Sequence, residues 1–456
     1  MFNLAVCYDD GVGVAQDKSK AIQLYQKAAD LGHTDAMFNL AVCYLKGDGV
    51  SQDKSKANQL LQQASDLGNI DAMFSLAVCY LKGDGVPQDK TKAIQLYQQA
   101  SDLGNTDAML KLALCYEKGD GVTQDKTKAF QLFQKASDLG HTDAMFNLAV
   151  CYAKGDGVSQ DDSKAIRLLQ QASDFGNTNA MFNLAVCYAK GYCVSQDDSK
   201  AIQLYQKASD LGNTDAMLNL AVCYDNGDGV PQDKTKAFQL YQQASDLGHT
   251  DAMFNLAVCY DDGVGVAQDK SKAIHLYQKA SELGNSDAMY NLALCYENRD
   301  GVTQDKSKAI QLYQKAADLG HTNAMFNLAV CYLKGDGVSQ DKSKANQLLQ
   351  QASDLGNTDA MVNLAVCYDN GDGVAQDKTK AFQLYQQASD LGHTDSMFNL
   401  AVCYDDGVGV AQDKSKAIQL YQKAADLGHT DAMFNLAVCY LKGDGVSQDK
   451  SKANQL

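Results

Sequence analysis

Met73–Ala108 reads MFSLAVCYLKGDGVPQDKTKAIQLYQQASDLGNTDA, and the chain on either side repeats that phrase every 36 residues. All 13 methionines fall in one column of the repeat, Met1, Met37, Met73 and onward to Met433. Thirteen of the 14 cysteines fall in a second column, Cys7 to Cys439. A fixed period of this length signals a solenoid, in which each unit buries its apolar face only against its neighbours. The units run 1–36, 37–72, 73–108 and so on to 397–432, with a partial unit 433–456, and the expectation is one continuous array over 1–456. No linker-like shift in composition interrupts it. Pro87 and Pro231 are the two prolines, and both sit in the same loop column.

Within a unit the apolar spacing predicts two helices. Over Ala72–Tyr80, residues Ala72, Leu76 and Tyr80 recur every four positions, while Phe74, Val78 and Leu81 form a second stripe. That helix is apolar on nearly all sides and is expected to be the inner one. Over Lys90–Leu103, residues Ala93, Leu96, Tyr97, Ala100 and Leu103 form a single stripe, with Lys92, Gln95, Gln98, Gln99 and Asp102 opposite. This reads as an outer helix with Asp89 as its N-cap. Gly104 stands where a left-handed residue ends it, and Thr106 is expected to cap the next inner helix. Gly83 and Gly85 shape the connecting turn, and Val86 tucks back towards the core. Two units break this turn: Tyr192-Cys193 replaces Asp-Gly in the sixth, and Arg299 replaces the first glycine in the ninth. These turns must change shape or bear strain.

The net charge of −16 with no basic stripe argues against nucleic acid and against anionic membrane surfaces. No apolar run is long enough to span a bilayer, and MFNLAVCYDD has no secretory-signal pattern. One cysteine per unit puts neighbouring thiols roughly 8–10 Å apart, one helix packing distance. A disulfide needs Cα atoms within about 7 Å. The cysteines are therefore read as reduced, which points to the cytoplasm. Cys193 alone lies in a loop.

These residues resemble the Sel-one-like repeat (SLR), a relative of the tetratricopeptide repeat (TPR). The matching positions are Ala72, Leu76, Ala77, Tyr80, Gly83, Gly85, Val86, Asp89, Lys92, Ala93, Tyr97, Ala100, Ser101 and Gly104. Ala77 stands where the family usually has glycine. The resemblance implies an all-α fold, a right-handed α/α superhelical solenoid of helix-turn-helix repeats. It also implies a scaffold or adaptor that binds proteins or peptides along a concave face. A structural spacer or self-associating array with no specific ligand is the alternative.

In the TPR relatives the inner helices line the groove. By position that places Phe74, Val78, Leu81 and Lys82 at or near it. Units two to six carry Lys46, Lys82, Lys118, Lys154 and Lys190, whereas units seven to nine carry Asp225, Asp261, Asp262 and Glu297. The expectation is a groove with a basic segment followed by an acidic one, selecting partners by charge.

Catalysis and cofactors are not expected. Six of the seven histidines share one turn column with asparagine (His33, His141, His249, His321, His393, His429), a spacing unsuited to a metal site. Asp225-Asn226-Gly227-Asp228-Gly229 lacks the ligand offsets of a calcium loop. No phosphate loop, dinucleotide fingerprint or nucleophile elbow occurs. Residues 1–60 are identical to 397–456, which suggests recent duplication. Met1 falls inside an inner helix and Leu456 inside an outer one. The expectation is a piece of a longer array, or one able to associate through its uncapped ends.

Overall fold

The computed structural model describes residues 1–455, and every regular element among them is an α-helix. The helices form tandem pairs, giving an α/α solenoid architecture. The third repeat shows the unit: a first helix Ile70–Lys82 and a second helix Lys90–Asp102, joined by the glycine turn. Contacts divide the chain into two compact units, Met1–Pro231 and Gln232–Leu456. Within each, every helix packs on the one before it and the one after it.

The first helix is buried from several directions at once. Ala72, Met73, Leu76, Ala77 and Cys79 are buried, and Phe74, Val78 and Leu81 pack partly buried against the same core. Its neighbours are the second helix of its own repeat and that of the repeat before. Alanine at positions 72 and 77 lets these backbones approach. The second helix buries one stripe, Ala93, Ile94, Leu96, Tyr97 and Ala100, and leaves its glutamines in water.

The termini differ from the expectation. The first helix begins at Ile70, two residues before Ala72, and continues to Lys82. Its N-cap is not a threonine. In the fourth repeat Asn105 is extended (φ −71°, ψ 112°) and its side chain accepts from the Ala108 N–H at 2.7 Å, while Thr106 is already helical. The preceding turn explains this. Gly104 takes φ +97°, and the Asn105 N–H bonds back to the Ala100 carbonyl at 3.0 Å. Asn105 thus closes one helix and caps the next. The second helix ends at Asp102, so Leu103 is not part of the core stripe. It is the C-cap residue and is 54% exposed.

In the other turn, Gly83 (φ 73°) and Gly85 (φ 71°) are both left-handed. Gly85 also has a steric reason: a Cβ there would lie 2.5 Å from Lys54 Cβ on the preceding repeat's second helix. The broken turns keep the same shape and bear the strain. Cys193 and Arg299 adopt φ 60° and 64°, which costs a non-glycine residue about 1–2 kcal/mol. Gln88 Nε2 donates to the Leu81 carbonyl at 2.8 Å, satisfying an end of the first helix that would otherwise lack a partner.

Two outcomes are expected. Leu76→Ala removes a side chain only 1% exposed and should cost about 2–5 kcal/mol. Native-state hydrogen exchange should show lost protection in repeats two to four and normal protection further along, because coupling passes between neighbours. Secondly, burial pushes the thiols of Cys43, Cys151, Cys295 and Cys331 up to about 11, from 9.0. An acid whose folded pKa is raised gives stability that is complete below the unfolded pKa and is lost as pH climbs towards the folded one. The urea midpoint should therefore fall between pH 9 and 11. Replacing these four cysteines by alanine should reduce that fall.

Candidate interaction surface

On the first helix, Asp71, Ser75, Val78 and Lys82 are spaced by four, three and four residues and form the stripe that reaches solvent. Equivalent stripes recur in each repeat, with Asp35, Asn39, Val42 and Lys46 in the second and Asp143, Asn147, Val150 and Lys154 in the fifth. Val78 lies on this stripe. Phe74 lies at its edge, half-buried, its ring centroid 5.8 Å from that of Tyr97.

Many of the charged side chains along the repeats are engaged within the array. At the stripe's N-terminal end, the capping asparagine of one repeat reaches the aspartate of the repeat before. Asn69 Nδ2 donates to Asp35 Oδ1 at 2.8 Å, and Asn177 Nδ2 to Asp143 Oδ1 at 2.7 Å. Histidine performs the same two tasks. His141 Nδ1 accepts from the Ala144 N–H at 3.3 Å, and its Nε2 lies 3.2 Å from Asp107 Oδ1. Both side chains place an acceptor towards their own helix and a nitrogen towards the neighbouring repeat, which is why they alternate in one column. Sequence reasoning missed this ladder. Its signal was the pairing of an Asn/His column with an Asp/Asn column 34 residues earlier.

A second ladder joins many of the second helices to the next repeat's glycine turn, with breaks where Asp162 and Asp198 replace the lysine. Lys54 Nζ lies 2.7 Å from Asp84 Oδ1, and Lys90 and Lys126 lie 2.6 Å from Asp120 and Asp156. A further lysine column lies on tyrosine: Lys92 Nζ donates to the Tyr80 hydroxyl at 2.7 Å and stands 4.4 Å from the ring centroid.

The residues expected to charge the groove separate accordingly. Lys46, Lys82, Lys118, Lys154 and Lys190 share one register at the end of the first helices. All five are exposed, and none has an ion-pair partner among the described residues. Lys190 alone lies near a ring, 5.9 Å from the Tyr192 centroid. The acids are not their counterparts. Asp225, Asp261 and Glu297 sit one position earlier, in the Leu81 column, and are half-buried. Asp261 accepts from Lys270 Nζ at 2.6 Å and from the Tyr277 hydroxyl at 3.2 Å, and Asn291 donates to that hydroxyl at 3.3 Å. The Tyr313 hydroxyl likewise donates to Glu297. Asp9 repeats the arrangement with Lys18 and Tyr25, where two carboxylates hold the Lys18 ammonium well above its ordinary pKa. Asp262 alone of the four expected acids is exposed. The expected acidic segment of the groove is therefore largely internal wiring, because a one-residue shift on a helix turns a side chain by about 100° towards the second helix.

Among the described residues, no cluster of three His, Cys, Asp or Glu side chains is arranged to hold a metal ion, and no helix is long and apolar enough to cross a membrane. Cys193 is the exposed cysteine among the described residues, and the others are buried or half-buried. The widest of the clefts described lies elsewhere, between the second helices Lys54–Asp66 and Lys90–Asp102. It has a volume of about 660 Å³, with Met73 and Leu96 in its lining beside Asp66, Asp102 and Leu103.

Replacing a cap tests the ladder. His141→Ala should cost about 1 kcal/mol locally and raise amide exchange over Thr142–Lys154, whereas His141→Asn should leave it unchanged. Equal exchange in both variants would remove the capping role.

Comparison with known proteins agrees with this architecture. The Sel1 repeat profile matches thirteen consecutive segments, 1–33, 34–69, 70–105 and onward to 430–456. Its phase starts with the first helix at Thr34, three residues before the methionine column. A protective antigen of uropathogenic Escherichia coli strains that displays an SLR fold is 28% identical. The alignment covers 95% of this chain and 92% of that one, with a TM-score of 0.68. A Sel1 repeat protein from Oxalobacter formigenes is also 28% identical, with 66% and 88% covered and a TM-score of 0.52. The comparison with curated proteins returns no match. With its whole length accounted for by that profile, the chain belongs to the Sel1 repeat family.

Proposed function

We propose that this chain is a non-enzymatic protein-interaction scaffold whose lysine row in Met1–Pro231 takes an extended acidic segment of a partner protein. Sel1 repeats as a family serve protein interaction. The observation that carries the finer reading is the sorting of charge. The Lys90-type and Lys92-type columns are engaged within the array, whereas Lys46, Lys82, Lys118, Lys154 and Lys190 are exposed and unpaired.

Spacing sets the partner's form. Lysines one helix packing distance apart, roughly 8–10 Å, match every third residue of a chain that rises about 3.3 Å per residue. An acidic residue at every third position would meet one lysine per repeat. Val78 and its equivalents offer apolar contact beside the charges, and the exposed edge of Phe74 adds to it. Asp262 and Asp406, exposed acids in the same column, disfavour extension of the same acidic segment through Gln232–Leu456. One cysteine per repeat in a buried column suits reduced thiols and a reducing compartment, which favours the cytoplasm.

A labelled 15-residue peptide with glutamate at every third position tests this by fluorescence anisotropy. Binding should weaken with salt and fall at least tenfold in K82E/K118E. A peptide with lysine in place of glutamate should not bind the native chain. If the double variant holds the acidic peptide as tightly as the native chain does, the lysine row is not the site.

A further inference from the structure

The turn from each second helix to the next first helix carries an exposed apolar side chain. In Met1–Pro231 these are Leu31, Leu67, Leu103, Leu139, Phe175 and Leu211, each at least 54% exposed. In Gln232–Leu456 the same column runs from Leu247 to Leu427, again more than half exposed throughout. Scattered surface leucines are ordinary, but a large apolar residue repeated at one exposed register calls for a partner. The fold does not require it. The backbone bonds of the turn are made by the Leu103, Gly104 and Asn105 N–H groups, and Gly104 supplies the left-handed conformation.

The setting of this column is acidic. An acid directly precedes the apolar residue in every turn, as in Asp66-Leu67 and Asp102-Leu103. Most turns carry a second aspartate four residues later, which the cap ladder engages at Asp35, Asp107 and Asp143. No lysine or arginine lies within these turn segments. Asp102 accepts from the neutral Gln98 amide at 2.9 Å, and Asp66 from Gln62 at 2.7 Å, so neither charge is neutralised there. Some repeats place a lysine one turn back on the second helix, as at Lys27 and Lys135, but Gln63 and Gln99 stand there in repeats two and three. That is where the cleft of about 660 Å³ opens between successive second helices, with Met73 and Leu96 in its lining and Asp66, Asp102 and Leu103 beside them. Lys92, which also lines the cleft, is held on the Tyr80 hydroxyl.

We infer that this edge is a second docking surface, separate from the lysine row, for a basic amphipathic helix of a partner protein. Charge complementarity selects the occupant. A second copy would bring acid against acid, and an anionic lipid surface would be repelled. Basic side chains would meet the aspartates while apolar ones contact the leucine column and enter the cleft. The pitch fits a helix: seven residues at about 1.5 Å each span about 10.5 Å, close to the roughly 8–10 Å between repeats. The bound helix would therefore present one leucine-sized residue per heptad, flanked by lysine or arginine.

The probe is a labelled 24-residue helical peptide with leucine at every seventh position and lysine beside it. Two controls carry glutamate for lysine, or glutamine for leucine. The native chain should bind the basic peptide and neither control. L67Q/L103Q/L139Q should bind at least tenfold more weakly with an unchanged circular dichroism spectrum, since all three side chains are exposed. Binding by K82E/K118E should be unchanged, which separates this edge from the lysine row. Equal affinity in the leucine triple variant, tight binding of the glutamine peptide, or no binding by the native chain would overturn the inference. So would a native dimer in sedimentation, or binding to lipid vesicles, that the triple variant abolishes, since the column would then serve self-contact or a membrane.

Discussion

The first helix of each repeat has no face that it can leave wholly to water, and the structure follows from the need to enclose it. Ala72, Met73, Leu76, Ala77 and Cys79 point in enough directions that one partner helix cannot cover them. The second helix of the same repeat covers part, and that of the preceding repeat covers the rest. A single repeat is therefore not a folding unit, and stability resides in interfaces between neighbours. The alanines matter as much as the large side chains, because they set how closely the helices approach.

Once the helices are stacked, polar groups are distributed by what each layer needs. The cap ladder of Asn or His with Asp, and the Lys–Asp ladder at the glycine turns, recur at offsets of 34 and 30 residues. Exposed ion pairs of this kind contribute little singly, but they keep adjacent turns in register. Charges used in this way are spent within the array. The two surfaces proposed for other molecules lie outside these ladders: the lysine row at the ends of the first helices, and the leucine column with acids such as Asp66 and Asp102 at the ends of the second. The two surfaces have opposite charge and lie at opposite ends of the helices, so they suit different partners.

Much of the fold was legible because the period of 36 residues and the apolar spacing act locally and repeat many times. Helix boundaries were legible to within about two residues. The site was less so. Asp261 and Lys82 differ by one step in the repeat register, yet Asp261 turns towards Lys270 and Tyr277 while Lys82 faces solvent. Leu103 fits the apolar periodicity of its helix and still lies outside the core, since the helix ends at Asp102 and the turn carries Leu103 away. Thr106 resembles a cap, but Asn105 had already taken that place through the turn before it.

By itself the sequence determined the all-helical class, the repeat length, the pairing of helices and the glycine turns, because these depend on backbone preference and on apolar spacing within one unit. Tertiary structure decided which charges are neutralised and which apolar residues stay exposed. Those outcomes depend on side chains some 30 residues apart meeting across repeat interfaces, a distance that no local pattern encodes.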